Sequence, residues 1–227
     1  MSQYERTEML LGKQGVERLK NARVAVFGVG GVGSYAAEAL VRAGVGHITV
    51  VDDDTVSQSN LNRQLIALCS TVGQYKCEVF KQRAADIDQS VTVEPIIRFV
   101  TAENIDSFFL ESFDFVIDAV DNVTAKVAII KKCKQEGVRV ISCMGTGNKL
   151  HPEMLEVTDI YKTKGCPLAR VMRARLKKEG IESLTVVFST EEPIKTGQRV
   201  PGSVSFVPGV AGLIAAGEAV RFIASRD

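Results

Sequence analysis

The stretch Arg23–Asp54, RVAVFGVGGVGSYAAEALVRAGVGHITVVDDD, constrains this chain more than any other. Val24–Phe27 is a short apolar run of the kind buried on both faces in a parallel sheet. Gly28, Gly30, Gly31 and Gly33 follow at once, then a helical segment, Ser34–Ala43. A second apolar strand, Ile48–Val51, ends in Asp52, Asp53 and Asp54. The pattern is one strand–helix–strand unit with a glycine-rich first turn.

Such a turn has a specific use. Glycine lets the backbone turn tightly and lets an anion approach without a β-carbon in the way. The N–H groups that open the following helix then point at that anion. Asp52 stands at the end of the second strand, where a carboxylate can accept hydrogen bonds from a ribose diol. The expectation is an adenine-nucleotide site. The competing account is a glycine turn that only packs a helix against a sheet.

A length of 227 residues suffices for one large α/β domain with a sizeable core. The net charge of +1 creates no global field, so any nucleic-acid surface must be local. Five cysteines occur, an odd number with no C-x-x-C pair, which argues against a disulfide framework and against zinc. The opening MSQYERTEML lacks the apolar core of a secretory signal, and the expected compartment is a reducing cytosol. Val207–Ala224 is apolar but carries Glu218 and Arg221 and is near the short limit for a span. It reads as a packed helix, with no membrane involved.

Residues 3–20 read as helix with a break at Gly12 and Gly15, and Arg6 as a solvated helix end. After Asp54 come Asn60, Asn62, Arg63 and Gln64, a polar group directly downstream of the glycine turn. Arg63 could fork onto phosphate oxygens, or the group could be a plain polar loop. Lys76 begins a helix from Gly73 to about Asp88, where a cation opposes the macrodipole unless an anion sits nearby. Val91–Ile97 alternates as a strand, and 102–110 reads as a short helix with Phe108, Phe109 and Leu110 inward. Phe115–Ala119 is a buried strand leading to Asp121 and Asn122. Asp121 could bind a magnesium ion, cap the helix Val123–Gln135, or do both. Val138–Cys143, Glu153–Asp159 and Ser183–Phe188 read as strands and Pro167–Glu179 as a helix. Glu191–Ser205 has no periodicity and reads as a long surface loop, of the kind that is usually functional or mobile. From Pro208 a helix rich in glycine and alanine permits close packing, in the core or across a dimer. The whole chain, 1–227, is expected to be one domain, with its nucleotide-binding part at about 20–150.

A lone G-x-G-x-x-G would suit a dehydrogenase. The added Asn, Arg and Lys, and an acid at a later strand end, suit a triphosphate better. In order along the chain stand G-x-G-G-V-G-S at Gly28–Ser34, the acid Asp52, S-N-L-N-R-Q at Ser59–Gln64, V-G-Q-x-K at Val72–Lys76 and D-x-V-D-N at Asp118–Asn122. This set resembles the adenylation domain of the ubiquitin-activating-like enzymes, a group that includes the activating enzymes of molybdopterin and thiamine synthesis. The resemblance implies a Rossmann-like, mostly parallel sheet with helices on both faces and an antiparallel extension in the C-terminal part. It implies use of ATP and Mg2+ to adenylate a carboxylate. By the same resemblance Gly28, Gly30, Gly31, Gly33, Asp52, Asp54, Asn60, Arg63, Gln64, Lys76 and Asn122 bind nucleotide, and Asp121 binds the metal. The catalytic set it implies is Arg63, Lys76, Asp121 and Arg6, the last reaching into the partner's site of a homodimer.

The C-terminal half narrows this. D-I-x-K-T at Asp159–Thr163, P-L-A-R-V-M-R at Pro167–Arg173, V-F-S-T-E-E-P at Val187–Pro193 and P-G-S-x-S-F-V-P at Pro201–Pro208 resemble the branch that dehydrates threonylcarbamoyladenosine beside the tRNA anticodon. That branch implies a tRNA substrate. The alternative is an adenylyltransferase for a small sulfur-carrier protein, whose usual zinc cysteine pairs are missing here. A sulfur-relay protein is a further candidate partner. Arg170, Arg173 and Lys177 share a helix face that could meet phosphates or merely water. Cys166 stands at a loop-to-helix position suited to a reactive thiolate, but ring closure is intramolecular and needs no thioester.

Overall fold

The computed structural model describes residues 3–109 and 112–225. Its seven strands form one sheet: β1 (Arg23–Phe27), β2 (His47–Val51), β3 (Thr92–Ile96), β4 (Phe115–Asp118), β5 (Arg139–Cys143), β6 (Leu155–Asp159) and β7 (Thr185–Ser189). Their spatial order is β3-β2-β1-β4-β5-β7-β6. All neighbours run parallel except β6, which pairs antiparallel with β7 at the far edge. The antiparallel extension is therefore one strand, and β7 belongs to the parallel body. Strand order reverses between β1 and β4, which opens a crevice at the carboxyl ends of those two strands.

Six α-helices complete the layers: α1 (Glu5–Asn21), α2 (Gly33–Ala43), α3 (Lys76–Ile87), α4 (Val123–Gln135), α5 (Pro167–Lys178) and α6 (Phe206–Ala224). Alternation along the strands decides which helix meets which residue. Val24 and Val26 of β1 face one core with α1, α2, α3 and α6, while Ala25 and Phe27 face a second with α4 and α5. Phe27 is fully buried and packs edge-on to Phe108 at 5.9 Å and flat against Phe109 at 6.0 Å. Burying one side chain of this size contributes roughly 1.5–3 kcal/mol.

The helix expected over 102–110 is a single 3₁₀ turn, Ile105–Phe108, and Leu110 lies outside the described residues. Asn104 accepts from the Thr101 N–H and Ser107 donates back to the Asn104 carbonyl. These local bonds compete with helix continuation. The break in α1 falls at Gly12, whose φ of 72° and ψ of 163° are not helical. The small-residue helix α6 packs within the chain. It has the length and apolarity of a membrane span, yet half of it is buried, chiefly against α2 and α1. Its Gly212 passes so near α2 that a β-carbon there would lie 2.2 Å from the Val32 carbonyl oxygen.

Candidate active site

The glycine turn fills the crevice between β1 and β4. Gly28 has a φ of 86°, and a β-carbon on it would lie 2.8 Å from the Ala119 carbonyl oxygen, so the turn rests directly on the end of β4. Gly33 must be bare for the same reason, because it lies against Gly28. Gly30 and Gly31 are different. A β-carbon at Gly30 would meet nothing nearer than Gln64 Nε2 at 3.7 Å, and one at Gly31 would touch Pro208 at 3.3 Å and Arg63 Cγ at 3.5 Å. Gly28 and Gly33 therefore serve backbone packing, Gly31 lies against Pro208 and Arg63, and Gly30 leaves an open cradle beside Gln64.

Asp52 is pinned to this turn. One of its oxygens accepts from the Val29 N–H at 2.7 Å and the other from the Asp54 N–H at 2.9 Å. Burial raises its pKa above the usual carboxylate value, although Lys76 and the two N–H donors oppose that shift. Lys76 opens α3 and is 5% exposed. Its Nζ lies 2.6 Å from Asp54 Oδ2 and 3.6 Å from Asp52 Oδ1. The anion that accounts for a lysine at a helix start is thus, within this chain, its own pair of aspartates. Asp52, Asp53 and Asp54 also bring carboxylate oxygens within 4.8 Å of one another.

The polar stretch after β2 folds as a tight turn. Asn60 closes a capping box with Ser57, its Oδ1 accepting from the Ser57 N–H at 3.0 Å. Arg63 donates to the Ser59 carbonyl and to Asn62 Oδ1, both at 2.9 Å, so its guanidinium is folded against its own turn. Gln64 is buried, and its Oε1 has no hydrogen-bond partner among the described residues. Gln64 Nε2, turned toward the bare face of Gly30, and the Arg63 side chain beside Gly31 bring hydrogen-bond donors to the glycine turn, which suits a phosphoester. The open Gln64 Oε1 can accept only from a donor on a ligand, such as a hydroxyl or amino group.

Asp121 and Asn122 follow β4 at the same edge of the sheet. The cap of α4 belongs to Asn122, whose Oδ1 accepts from the Ala125 N–H at 3.0 Å. Asp121 is exposed and is spared that task. Below it lies a buried network that the sequence pattern did not reveal. Lys126 and Ser142 donate to Asp118 Oδ2 at 3.0 and 2.6 Å, and all three side chains are fully buried. Asp118 Oδ1 accepts from the Val120 N–H at 3.3 Å, which ties the loop bearing Asp121 to α4 and β5. The available signal was a lysine inside the apolar run AKVAII, four residues after the cap.

Arg6, Arg173, Cys166 and Cys143 lie outside this cluster. Arg6 is exposed on α1, next to Tyr4, which bonds to Val41 and Asp88 at the C-terminal ends of α2 and α3. That edge is opposite the glycine turn, so Arg6 does not join its own chain's site. Arg173 donates to the Thr163 carbonyl at 3.0 Å and is half-buried, which removes it from the basic face and leaves Arg170 and Lys177 exposed. Cys166 is the N-cap residue of α5 and is buried. Cys143 lies in the core, its thiol pushed up to about 12 by burial.

A parallel sheet that reverses order at a glycine turn, with a pinned acid on the adjacent strand, defines a nucleotide-binding α/β protein of the doubly wound class. Residues 4–227 match the ThiF family, and the chain belongs to it. It is 44% identical to the tRNA threonylcarbamoyladenosine dehydratase of Bacillus subtilis, over 97% of this chain and 94% of that protein. It is 38% identical to the enzyme of the same name from Escherichia coli, over 82% of this chain and 72% of that one. The crystal structure of the E. coli tRNA N6-threonylcarbamoyladenosine dehydratase in complex with ATP superposes with a TM-score of 0.92 at 34% identity, covering 97% of this chain and 93% of that chain.

Proposed function

We propose that this protein dehydrates threonylcarbamoyladenosine in tRNA, using ATP to adenylate the threonyl carboxylate. The supporting observation is a likeness to an ATP-complexed dehydratase that extends through the C-terminal half, where carboxylate-activating enzymes differ among themselves. In the first step a carboxylate oxygen bonds to the α-phosphorus of ATP and pyrophosphate leaves. In the second, an atom of the ureido group within the same side chain attacks the acyl carbon, losing its proton as AMP departs. The net change in the nucleoside is loss of one water.

Each residue's part follows from its chemistry. Gly28 and Gly33 shape the turn, Gly30 leaves room for phosphate, and Gly31 lets Pro208 and Arg63 close on the same nucleotide. Asp52 receives the ribose on an oxygen lone pair not used by Val29 or Asp54. Asn60, Arg63, Gln64 and Lys76 meet the phosphates, Arg63 by unfolding from Asn62 and Lys76 by exchanging Asp54 for substrate. Asp121, exposed beside the turn, holds Mg2+, which when bound neutralises phosphate charge. Asn122 keeps Asp121 in place through its cap.

The same reading makes 1–227 one adenylating unit that acts in the cytoplasm as a homodimer. Arg6 then acts in the partner's site, and the exposed Met9 and Leu10 on its helix give it an apolar flank for contact. A sulfur-carrier protein is the alternative substrate; the lack of C-x-x-C pairs disfavours it. The deciding experiment incubates the protein with ATP, magnesium and tRNA bearing linear threonylcarbamoyladenosine, followed by nucleoside mass analysis. An ATP-dependent loss of 18 mass units (roughly one water, the species expelled on acyl activation) is expected. An unchanged nucleoside overturns the reading.

A further inference from the structure

The long loop, residues 190–205, is held by four consecutive residues of the β5–β6 connection, 148–151. Lys149 is 2% exposed, and its Nζ donates to the carbonyls of Ser189 and Glu191. Glu191 returns the contact: its carboxylate accepts from the Leu150 N–H at 2.9 Å and the His151 N–H at 3.0 Å. Lys149 thus grips the backbone of Glu191, and Glu191 grips the backbone of the two residues that follow Lys149. Asn148 adds three bonds. Its N–H donates to the Gly202 carbonyl at 2.8 Å, its Oδ1 accepts from the Gly202 N–H at 2.6 Å, and its carbonyl accepts from the Ile194 N–H at 2.8 Å.

The loop comes down on the nucleotide half. Asn62 Nδ2 donates to the Ser203 carbonyl at 3.0 Å, one residue from Arg63, and Pro208 lies against Gly31. The segment therefore arches from the end of β7 across β5 to the glycine turn. Asn148 adopts a left-handed φ of 58° to make its three bonds. Burial also lowers the pKa of Lys149, so its charge is kept against carbonyls at a cost to folding. A methionine would pack there more cheaply but would fix nothing.

From this geometry we infer that Lys149 and Glu191 are positioning residues that hold the arch as the wall against which the modified nucleoside is placed for adenylation. The inference rests on the function proposed above. It assigns to the RNA side the braced part of the arch, Glu191, Ile194 and Gly202, which bonds to the β5–β6 connection, and leaves to the ATP cradle the end that meets Gly31 and Asn62.

The test uses the full chain and an anticodon stem–loop RNA bearing linear threonylcarbamoyladenosine. Glu191→Gln and Asn148→Gly are compared with wild type for KM of RNA, KM of ATP, kcat and tryptic cleavage at Lys195 and Arg199. Asn148→Gly keeps the left-handed backbone and deletes one anchor, so it folds even where a change at Lys149 does not. The expected result is a KM for RNA raised roughly ten- to a hundredfold. KM for ATP stays within about twofold of wild type, since an interaction not made with ATP leaves its binding unchanged. Cleavage in the arch is faster. An unchanged KM for RNA, or equal rises in both KM values, overturns the inference. A wild-type protein that leaves the RNA unmodified overturns the functional reading as well, which separates the two failures.

Discussion

A β-carbon on Gly33 would lie 1.7 Å from the carbonyl oxygen of Gly28. No rotamer relieves that contact, because both atoms belong to the backbone frame. Helix α2 can begin where it does only if its first residue is glycine. Gly33→Ala is therefore expected to displace the turn, costing roughly 1–3 kcal/mol or more, as overpacking does, and to weaken ATP binding well beyond that of Gly30→Ala. Thermal unfolding and calorimetric titration with ATP check both. An alanine at 33 that binds ATP normally would refute the account of the turn.

Arg63 and Lys76 are tethered to the chain's own acceptors, Asn62 and Asp54, at 2.9 and 2.6 Å. As a phosphate contact Arg63 should matter to rate and not to folding, whereas Lys76, buried and paired with Asp52 and Asp54, should matter to both. Arg63→Ala is expected to lose roughly two to three orders of magnitude in rate, the usual effect of removing one transition-state charge contact, with an unchanged melting temperature. Steady-state kinetics of the dehydration decide it.

The Lys126–Asp118–Ser142 network makes the opposite prediction. Lys126→Met leaves a buried carboxylate without its cation and should destabilise by about 3–5 kcal/mol. Ser142→Ala removes one hydrogen bond and should cost about 1–3 kcal/mol. Urea denaturation measures both. Equal, small losses would mean that water reaches Asp118.

Glu191 gives a pH signature. Burial raises its pKa, but the N–H groups of Leu150 and His151, with the charges of His151 and Lys149, bring it below the ordinary value of 4.5. A carboxylate with a depressed folded pKa contributes stability above its unfolded pKa and loses it as pH falls through the folded one. Wild type should therefore exceed Glu191→Gln in melting temperature at neutral pH. The gap should close as the solution is acidified through and below pH 4.5. A gap that persists in strong acid would assign the difference to packing.

Asp121→Asn should fold as wild type does, since Asn122 supplies the cap. Its magnesium requirement should rise. Asn122→Ala should instead cost about 1 kcal/mol of stability through the lost cap. Magnesium titrations of activity, alongside melts, distinguish the two neighbours.

The doubly wound core was legible because its signals are local and periodic. The run Val24–Phe27, four glycines and a terminal acid fix a strand, a turn and a register within one unit. Less legible was anything that depended on which distant group comes near. The placement of Lys76 pointed to an anion but did not show that Asp54, 22 residues upstream, is its partner within the chain. Arg173 looked like part of a basic face, but the Thr163 carbonyl sits within its reach. The Asp118 network and the Lys149–Glu191 brace join segments 8 to 42 residues apart through single side chains. Spacing along the chain carries no trace of such pairings. The short helix over 102–110 failed for a different reason, since Asn104 and Ser107 offered the backbone nearer partners.

The close approach of Gly212 to Val32 has a consequence for how the molecule is made. The helix that seats the start of α2 is encoded more than 150 residues after it, so the ribosome makes the glycine turn long before its backing exists. While the first half waits, α2 lacks the helix against which it packs most extensively. Nucleotide binding should consequently appear only after synthesis passes residue 224, and a nascent chain arrested before Phe206 should retain no ATP.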